Sequence, residues 1–94
     1  MSVFIKELVL NKMRNLTTQD IVKNARKYDF TISEEEAKHI NNYLKNNKVD
    51  PFKERDRKIM LKELAKITDT ETAKKANKLF LKLIKQYGLE SMMD

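Results

Sequence analysis

Few residue types able to do chemistry occur in this 94-residue chain, and the first to test is its single imidazole, His39. Glu35 and Glu36 precede it by about one helical turn. A Glu-x-x-His pair on a helix is how dinuclear carboxylate proteins hold iron, but such a site needs two pairs and two further inward-facing Glu residues. One pair is present, so a ligand role for His39 requires a dimer that brings two copies together. By helical angle His39 also falls outside the apolar stripe Ala37, Ile40, Leu44, which is where an exposed or boundary side chain belongs. Ser2 and Ser91 lie at the termini and Ser33 is placed to cap a helix, whereas a hydrolase serine needs a base oriented by a third group. The chain has no Cys, which excludes disulfides, thiolate metal sites and thiol catalysis together. Its one Gly excludes the Gly-rich loops that cradle phosphates. Carboxylates cluster at Glu34-Glu35-Glu36, where the positive end of a helix dipole attracts them. They cluster again at Glu54 and Asp56, alternating with Lys53, Arg55, Arg57 and Lys58, and both sets read as helix electrostatics rather than acid–base pairs. The expectation is a chain that is not an enzyme, with no catalytic residue, no cofactor, no metal and no identifiable small-molecule substrate.

Three patterns remain that bear on function. Taking about 100° per residue, Lys74, Lys75, Lys78, Lys82 and Lys85 share one face of the last helix, opposite Ala73, Ala76, Phe80, Leu83, Ile84 and Tyr87. Such a face either binds a phosphate backbone or acidic surface, or is simply solvated and complements the negative pole of its helix. Second, Ile21, Ala25, Phe30 and Ile32 superficially resemble the first helix and turn of a helix-turn-helix. Asp29 stands where that motif often has Gly, and the next helix opens with three Glu that would repel phosphate, so direct major-groove reading is rejected. Only Arg14, Arg26, Arg55 and Arg57 offer the bidentate fork suited to guanine, a further argument against sequence-specific recognition. Third, Val3 and Leu10 lie opposite the main apolar stripe of the first helix, and Leu81 sits at the edge of the lysine face. Either the first helix is buried on two sides, or Val3, Leu10 and Met13 form a partner or dimer surface.

Apolar periodicity and capping residues predict the elements that carry these groups, helices over about 2–14, 18–28, 34–46, 51–67 and 70–87. The first helix has Phe4, Ile5, Leu8, Val9 and Met13 as its main apolar side. The second opens at Thr17 or Thr18 and presents Ile21, Val22, Ala25 and Tyr28. Ser33 and Glu36 form a capping box at the start of the third, which ends near Asn46-Asn47 because Asn tolerates the left-handed conformation. Asp50 is read as the cap of the fourth helix with Pro51 at its first position. For the last helix Thr68 with Glu71, or Thr70, supplies the start, and Gly88 followed by Leu89 the stop. The Met92-Met93 pair beyond it is expected to fray.

One Gly and one Pro are too few for the tight turns of a sheet protein this size, which leaves an all-α fold. The mass of 11.2 kDa corresponds to a folded surface of roughly 5,700 Å² against roughly 16,000 Å² unfolded, enough for one core. The expectation is a single domain over 1–94, a compact array of about five short antiparallel helices. Lys6 and Glu7 interrupt the apolar N-terminus, no basic segment precedes it and no cleavage site follows, so a signal peptide is not expected. The longest apolar run is three residues, so no membrane span is expected and the chain is assigned to the cytoplasm.

Asp50-Pro51-Phe52, the stretch Leu61 to Asp69, the run Thr72-Ala73-Lys74-Lys75-Ala76-Asn77 and the closing Tyr87-Gly88-Leu89-Glu90 together resemble the YqfT-like family, small uncharacterised proteins of Bacillus and related Firmicutes. The resemblance implies a bacterial origin and carries no activity, cofactor or functional residue. Function is therefore expected to lie in contact with another macromolecule, a protein partner or a second copy of the chain, with non-specific nucleic-acid binding through the lysine face as the alternative.

Overall fold

A computed structural model describes residues 2–93, with side chains from Ile5 to Met93. Five α-helices and a short terminal turn follow in order: α1 Ser2–Arg14, α2 Thr18–Lys27, α3 Glu34–Asn46, α4 Glu54–Ile67, α5 Thr70–Gln86, and a 3₁₀ turn Glu90–Met92. No strand occurs among the described residues. Packing joins α2 to α3 and α4 to α5, with α3 bridging to α4 and α1 resting on α3.

Local capping explains most boundaries. Thr17 Oγ1 accepts the Asp20 N–H and Asp20 Oδ2 accepts the Thr17 N–H, both at 3.1 Å. At α3 the same box forms between Ser33 and Glu36, at 3.0 and 2.9 Å. The last helix is capped by neither predicted threonine. Thr68 closes α4, donating its hydroxyl to the Leu64 carbonyl at 2.7 Å, and Asp69 caps α5 by accepting the Thr72 N–H at 2.7 Å. Gly88 takes φ +65° and the Leu89 N–H reaches back to the Ile84 carbonyl at 2.8 Å, the expected left-handed stop with a buried contact. Asp29 makes the same stop for α2 at φ 61°, with the Phe30 N–H on the Ala25 carbonyl at 2.8 Å. Asn47 does not take that conformation. It is extended at φ −132° and its side chain donates to the Tyr43 carbonyl at 2.9 Å instead.

The largest departure is at Asp50-Pro51, where α4 begins three residues later than the Pro signal indicates. Asp50 Oδ1 accepts the Phe52 N–H at 2.9 Å and the Asp50 carbonyl accepts the Lys53 N–H at 3.0 Å, so Asp50 closes a separate turn. The turn is fastened to α4 from both sides: Asp56 accepts the Asp50 N–H at 3.0 Å and Arg57 Nη1 donates to the Pro51 carbonyl at 2.8 Å. Its product is the burial of Phe52, which is 0% exposed and packs with Ile84 and Leu89. Phe80 meets it edge-on, ring centres 6.0 Å apart. Met92 and Met93, expected to fray, are half-buried against this cluster. The other buried residues are Pro51 of the turn, Leu10 of α1, Ile21 and Ala25 of α2, Ala37 of α3 and Ala73 of α5.

Phe52→Ala is expected to cost about 3–5 kcal/mol, read as a lower urea midpoint, because the surrounding helices cannot close over the lost ring. A second expectation concerns acid. Hydrogen bonds from the first turns of their helices hold the Asp20 and Asp69 carboxyls below the usual carboxylate range. Depressed groups stabilise the fold above their unfolded pKa and lose that contribution as pH falls through the lower folded value. Thermal unfolding followed by circular dichroism is expected to move to lower temperature from about pH 5 to about pH 3. Asp69→Asn, which keeps a capping oxygen, is expected to flatten part of that slope.

Candidate interaction surfaces

Which side of α1 faces the protein is decided by Lys6. Its ammonium lies 2.9 Å from Asp50 Oδ2 and 5.9 Å from the centre of the Phe52 ring. Residues one and two turns further on share that side, so Leu10 is buried and Met13 is half-buried on the wall of a half-open apolar cavity. Of the two alternatives read from the sequence, a partner surface through Leu10 and Met13 is not available on these side chains, because the ion pair to a neighbouring turn faces them inward. The Val3 side chain lies outside the described ones. Turning α1 this way leaves Ile5 43% and Leu8 67% exposed, and Leu8 borders a furrow with Asn11, Lys12 and Leu16. Glu7 precedes Leu8 and Lys12 follows it by about one helical turn, and neither enters an ion pair among the described residues.

The five lysines of α5 are all exposed. Lys75 is engaged: its ammonium donates to the Asp29 carbonyl and sits 4.9 Å from the centre of the Phe30 ring. Lys74, Lys78, Lys82 and Lys85 form no ion pair among the described residues. Asp29, Asp69 and Glu71 share a furrow with the N-terminal part of this stripe, which leaves the most basic stretch at Lys78 to Lys85. Leu81 at its edge is 44% exposed. Tyr87, expected on the apolar face, stands 68% exposed as the last residue before the Gly88 stop. His39 is exposed on α3, and Glu36 beside it is committed to the Ser33 cap. Among the described residues no three of His, Asp and Glu gather as a metal site.

A feature absent from the sequence reading lies between the helices. A cavity of about 210 Å³ is walled by α1, α3, α4 and α5, with Met13, Ile40, Leu44, Met60, Leu64 and Phe80 among its apolar contacts. No α4 side chain is fully buried, because its apolar face looks onto this space. Tyr43, Arg57 and Asn77 are the polar residues on the wall. Burial raises the Tyr43 hydroxyl pKa above its ordinary value, and the carboxylates of Glu63 and Asp56 act in the same direction. Arg57 is half-buried and held by the Pro51 carbonyl, by Met93 Sδ at 3.8 Å and by the Phe80 ring, whose centre is 5.9 Å from its guanidinium carbon. A second apolar cleft, about 400 Å³, runs between α2, α3, α4 and α5 and shares Ile40, Leu44, Leu64 and Ala76 with the first. Among the described residues no helix is long and apolar enough to cross a membrane.

Comparison with known proteins adds kinship. Over 78 residues the chain is 28% identical to the uncharacterized protein YqfT of Bacillus subtilis (strain 168), covering 83% of this chain and 93% of that one. No solved structure matches. Residues 1–84 match the family described as protein of unknown function (DUF2624), and the chain therefore belongs to that family.

Proposed function

We propose that this protein is a non-catalytic binding module whose first partner is a second copy of itself, meeting across the outward face of α1. The observation that carries the reading is the pair Ile5 and Leu8, one turn apart and left at 43% and 67% exposure by a helix already committed inward. The accessible surface of 6916 Å² supports it, being about 1,200 Å² more than expected for this mass. A standard interface takes about 800 Å² from each partner, so the chain has surface to give. Charge agrees with a two-fold arrangement. An antiparallel pair of α1 helices with its two-fold axis between Leu8 and Asn11 sets Leu8 of each copy against Asn11 of the other and Glu7 of each against Lys12 of the other.

A second reading rests on the unpaired lysines of α5. From Lys74 to Lys85 the stripe runs about 16 Å along the helix, a length able to meet several phosphates of one nucleic-acid strand. Neighbouring carboxylates and the commitment of Lys75 weaken it relative to the first.

Sedimentation equilibrium across a concentration series is expected to give a dimer that Ile5→Glu or Leu8→Glu converts to monomer, with stability changed by no more than about 0.5 kcal/mol. Glu7→Lys is expected to weaken the dimer and Glu7→Lys with Lys12→Glu to restore it. A wild-type chain that stays monomeric throughout removes this reading. For the second, binding to duplex DNA at low salt is expected to weaken with a log-log slope of about 0.9 per phosphate neutralised, about 3 to 4 for four lysines. The variant Lys74→Glu, Lys78→Glu, Lys82→Glu, Lys85→Glu is expected to abolish it, and absence of binding to both duplex and single strands at low salt removes it.

A further inference from the structure

Beside the lysine stripe of α5, the neighbouring helix α4 carries a basic row of its own. At about 100° per residue, Arg55, Lys58, Lys62 and Lys66 fall within an arc of about 80°, and all of them are exposed. Lys58 pairs with Glu54, whereas Arg55, Lys62 and Lys66 form no ion pair among the described residues. The other carboxylates of α4 lie on a different side. Asp56 accepts the Asp50 N–H, and Asp56 and Glu63, both half-buried, act on the Tyr43 hydroxyl, so they look toward α3.

This row and the lysines of α5 belong to one surface. Only Thr68 and Asp69 separate α4 from α5, so the two pack as antiparallel neighbours. Arg57 of α4 lies against the Phe80 ring, and both helices wall the same cavity with α3 across it, so their outer faces turn away from it together. On α5 the flank toward α2 is marked by Lys75, which reaches Asp29, and the flank toward α4 by Asn77 and Phe80. Lys74, Lys78, Lys82 and Lys85 stand between those flanks. The exposed carboxylates of the two helices, Glu54 and Glu71, sit in the first turns and hence at opposite ends of the antiparallel pair. Each basic row runs about 16 Å, and packed helices lie about 8–10 Å apart.

Two rows at that spacing select the occupant. A single extended strand follows one row and leaves the other unused, whereas a duplex presents two phosphate strands bordering a groove, about 12 Å wide on the major side. Seven of the eight cations are lysines, point charges suited to phosphates rather than to base edges. Large apolar side chains exposed on these helices are Ile59 and Leu81, one on each, too few to anchor a protein interface or a lipid surface. We propose that the outer faces of α4 and α5 form one basic surface that binds the phosphate backbone of duplex DNA, one strand on each row, without reading its sequence. Such binding rests on the nucleic-acid reading of α5 and adds a second helix and a second strand to it.

Fluorescence anisotropy of a labelled mixed-sequence duplex and of its separate strands, titrated with the wild-type chain over a salt series, tests this surface. The duplex is expected to bind more tightly than either strand, with a log-log salt slope of about 6 for the seven cations outside ion pairs, against about 3 to 4 for α5 alone. Lys62→Gln with Lys66→Gln is expected to lower the slope by about 2 and the low-salt affinity about tenfold. Both positions are exposed and Gln suits a helix, circular dichroism verifies the fold, and the wild-type slope and duplex–strand comparison need no variant. A wild-type slope of about 3 to 4, with the α4 variant binding like the wild type, overturns the two-helix surface and leaves the α5 reading standing. Strands that bind as tightly as the duplex overturn the two-row geometry. A chain that binds phosphatidylglycerol vesicles but no duplex overturns it in favour of a lipid surface. Absence of binding to duplex and strands at low salt removes this surface and the α5 reading together.

Discussion

Burial of Phe52 is the constraint on which the remaining architecture depends. It is the only large side chain among the described residues that is fully removed from solvent. Putting a ring there from a connecting segment requires a turn, and Asp50 makes it with both its side chain and its carbonyl. The consequence is that Asp50 no longer caps α4, whose N-terminal residue Lys53 provides no side-chain cap. A missing cap costs about 1 kcal/mol, whereas burying a Phe side chain contributes about 1.5–3 kcal/mol, so the turn wins over the longer helix. The same carboxylate holds Lys6, and through Asp56 and Arg57 the turn is tied to α4. One short segment therefore sets α1, α4 and the C-terminal residues around Leu89.

That dependence explains why the orientation of α1 departs from its apolar content. Ile5, Leu8, Val9 and Met13 outnumber the apolar residues of the other side, and periodicity alone turns them all inward. Lys6 overrides that preference because its stem can lie across Phe52 while its ammonium reaches Asp50, a partner 44 positions away in sequence. Once Lys6 faces inward, Leu10 must follow and Leu8 must not. A pattern rule that treats lysine as an outward signal has no means of anticipating this.

Features whose partners lie within a few residues were legible, and those assembled across the fold were not. Ser33 and Glu36, or Gly88 and Leu89, declare a helix end because every atom involved belongs to one turn of chain. The lysine stripe of α5 was legible for the same reason, since 3.6-residue periodicity alone puts those side chains on one face. What it did not reveal is that Lys75 is occupied by the Asp29 carbonyl, which only the packing of α5 beside the α2 stop makes possible. Asp29 itself was recognisable as standing at a Gly position, and it does adopt the left-handed conformation, though the residue type gave no assurance of it. The cavity was illegible altogether: its walls come from four helices, and each wall residue looks in isolation like an ordinary core position.

The surface excess and the outline of the molecule together constrain how a partner can engage it. The radius of gyration is 12.7 Å, close to the roughly 12.4 Å expected for a compact chain of this length. Extra area within a compact outline has to come from indentation rather than elongation. Packing is closest between α2 and α3, which bury Ala25 and Ala37, and between α4 and α5, where α4 contributes Met60, Leu61, Leu64 and Ile67 without burying any of them fully. Two closely packed pairs that meet through the lighter α3–α4 contact leave a wedge between them, and the two apolar clefts lie there. A flat contact across Ile5 and Leu8 would cover part of α1 and leave the wedge as it is. Filling the wedge instead requires something thin enough to insert between α3, α4 and α5, a surface separate from the outward face of α1.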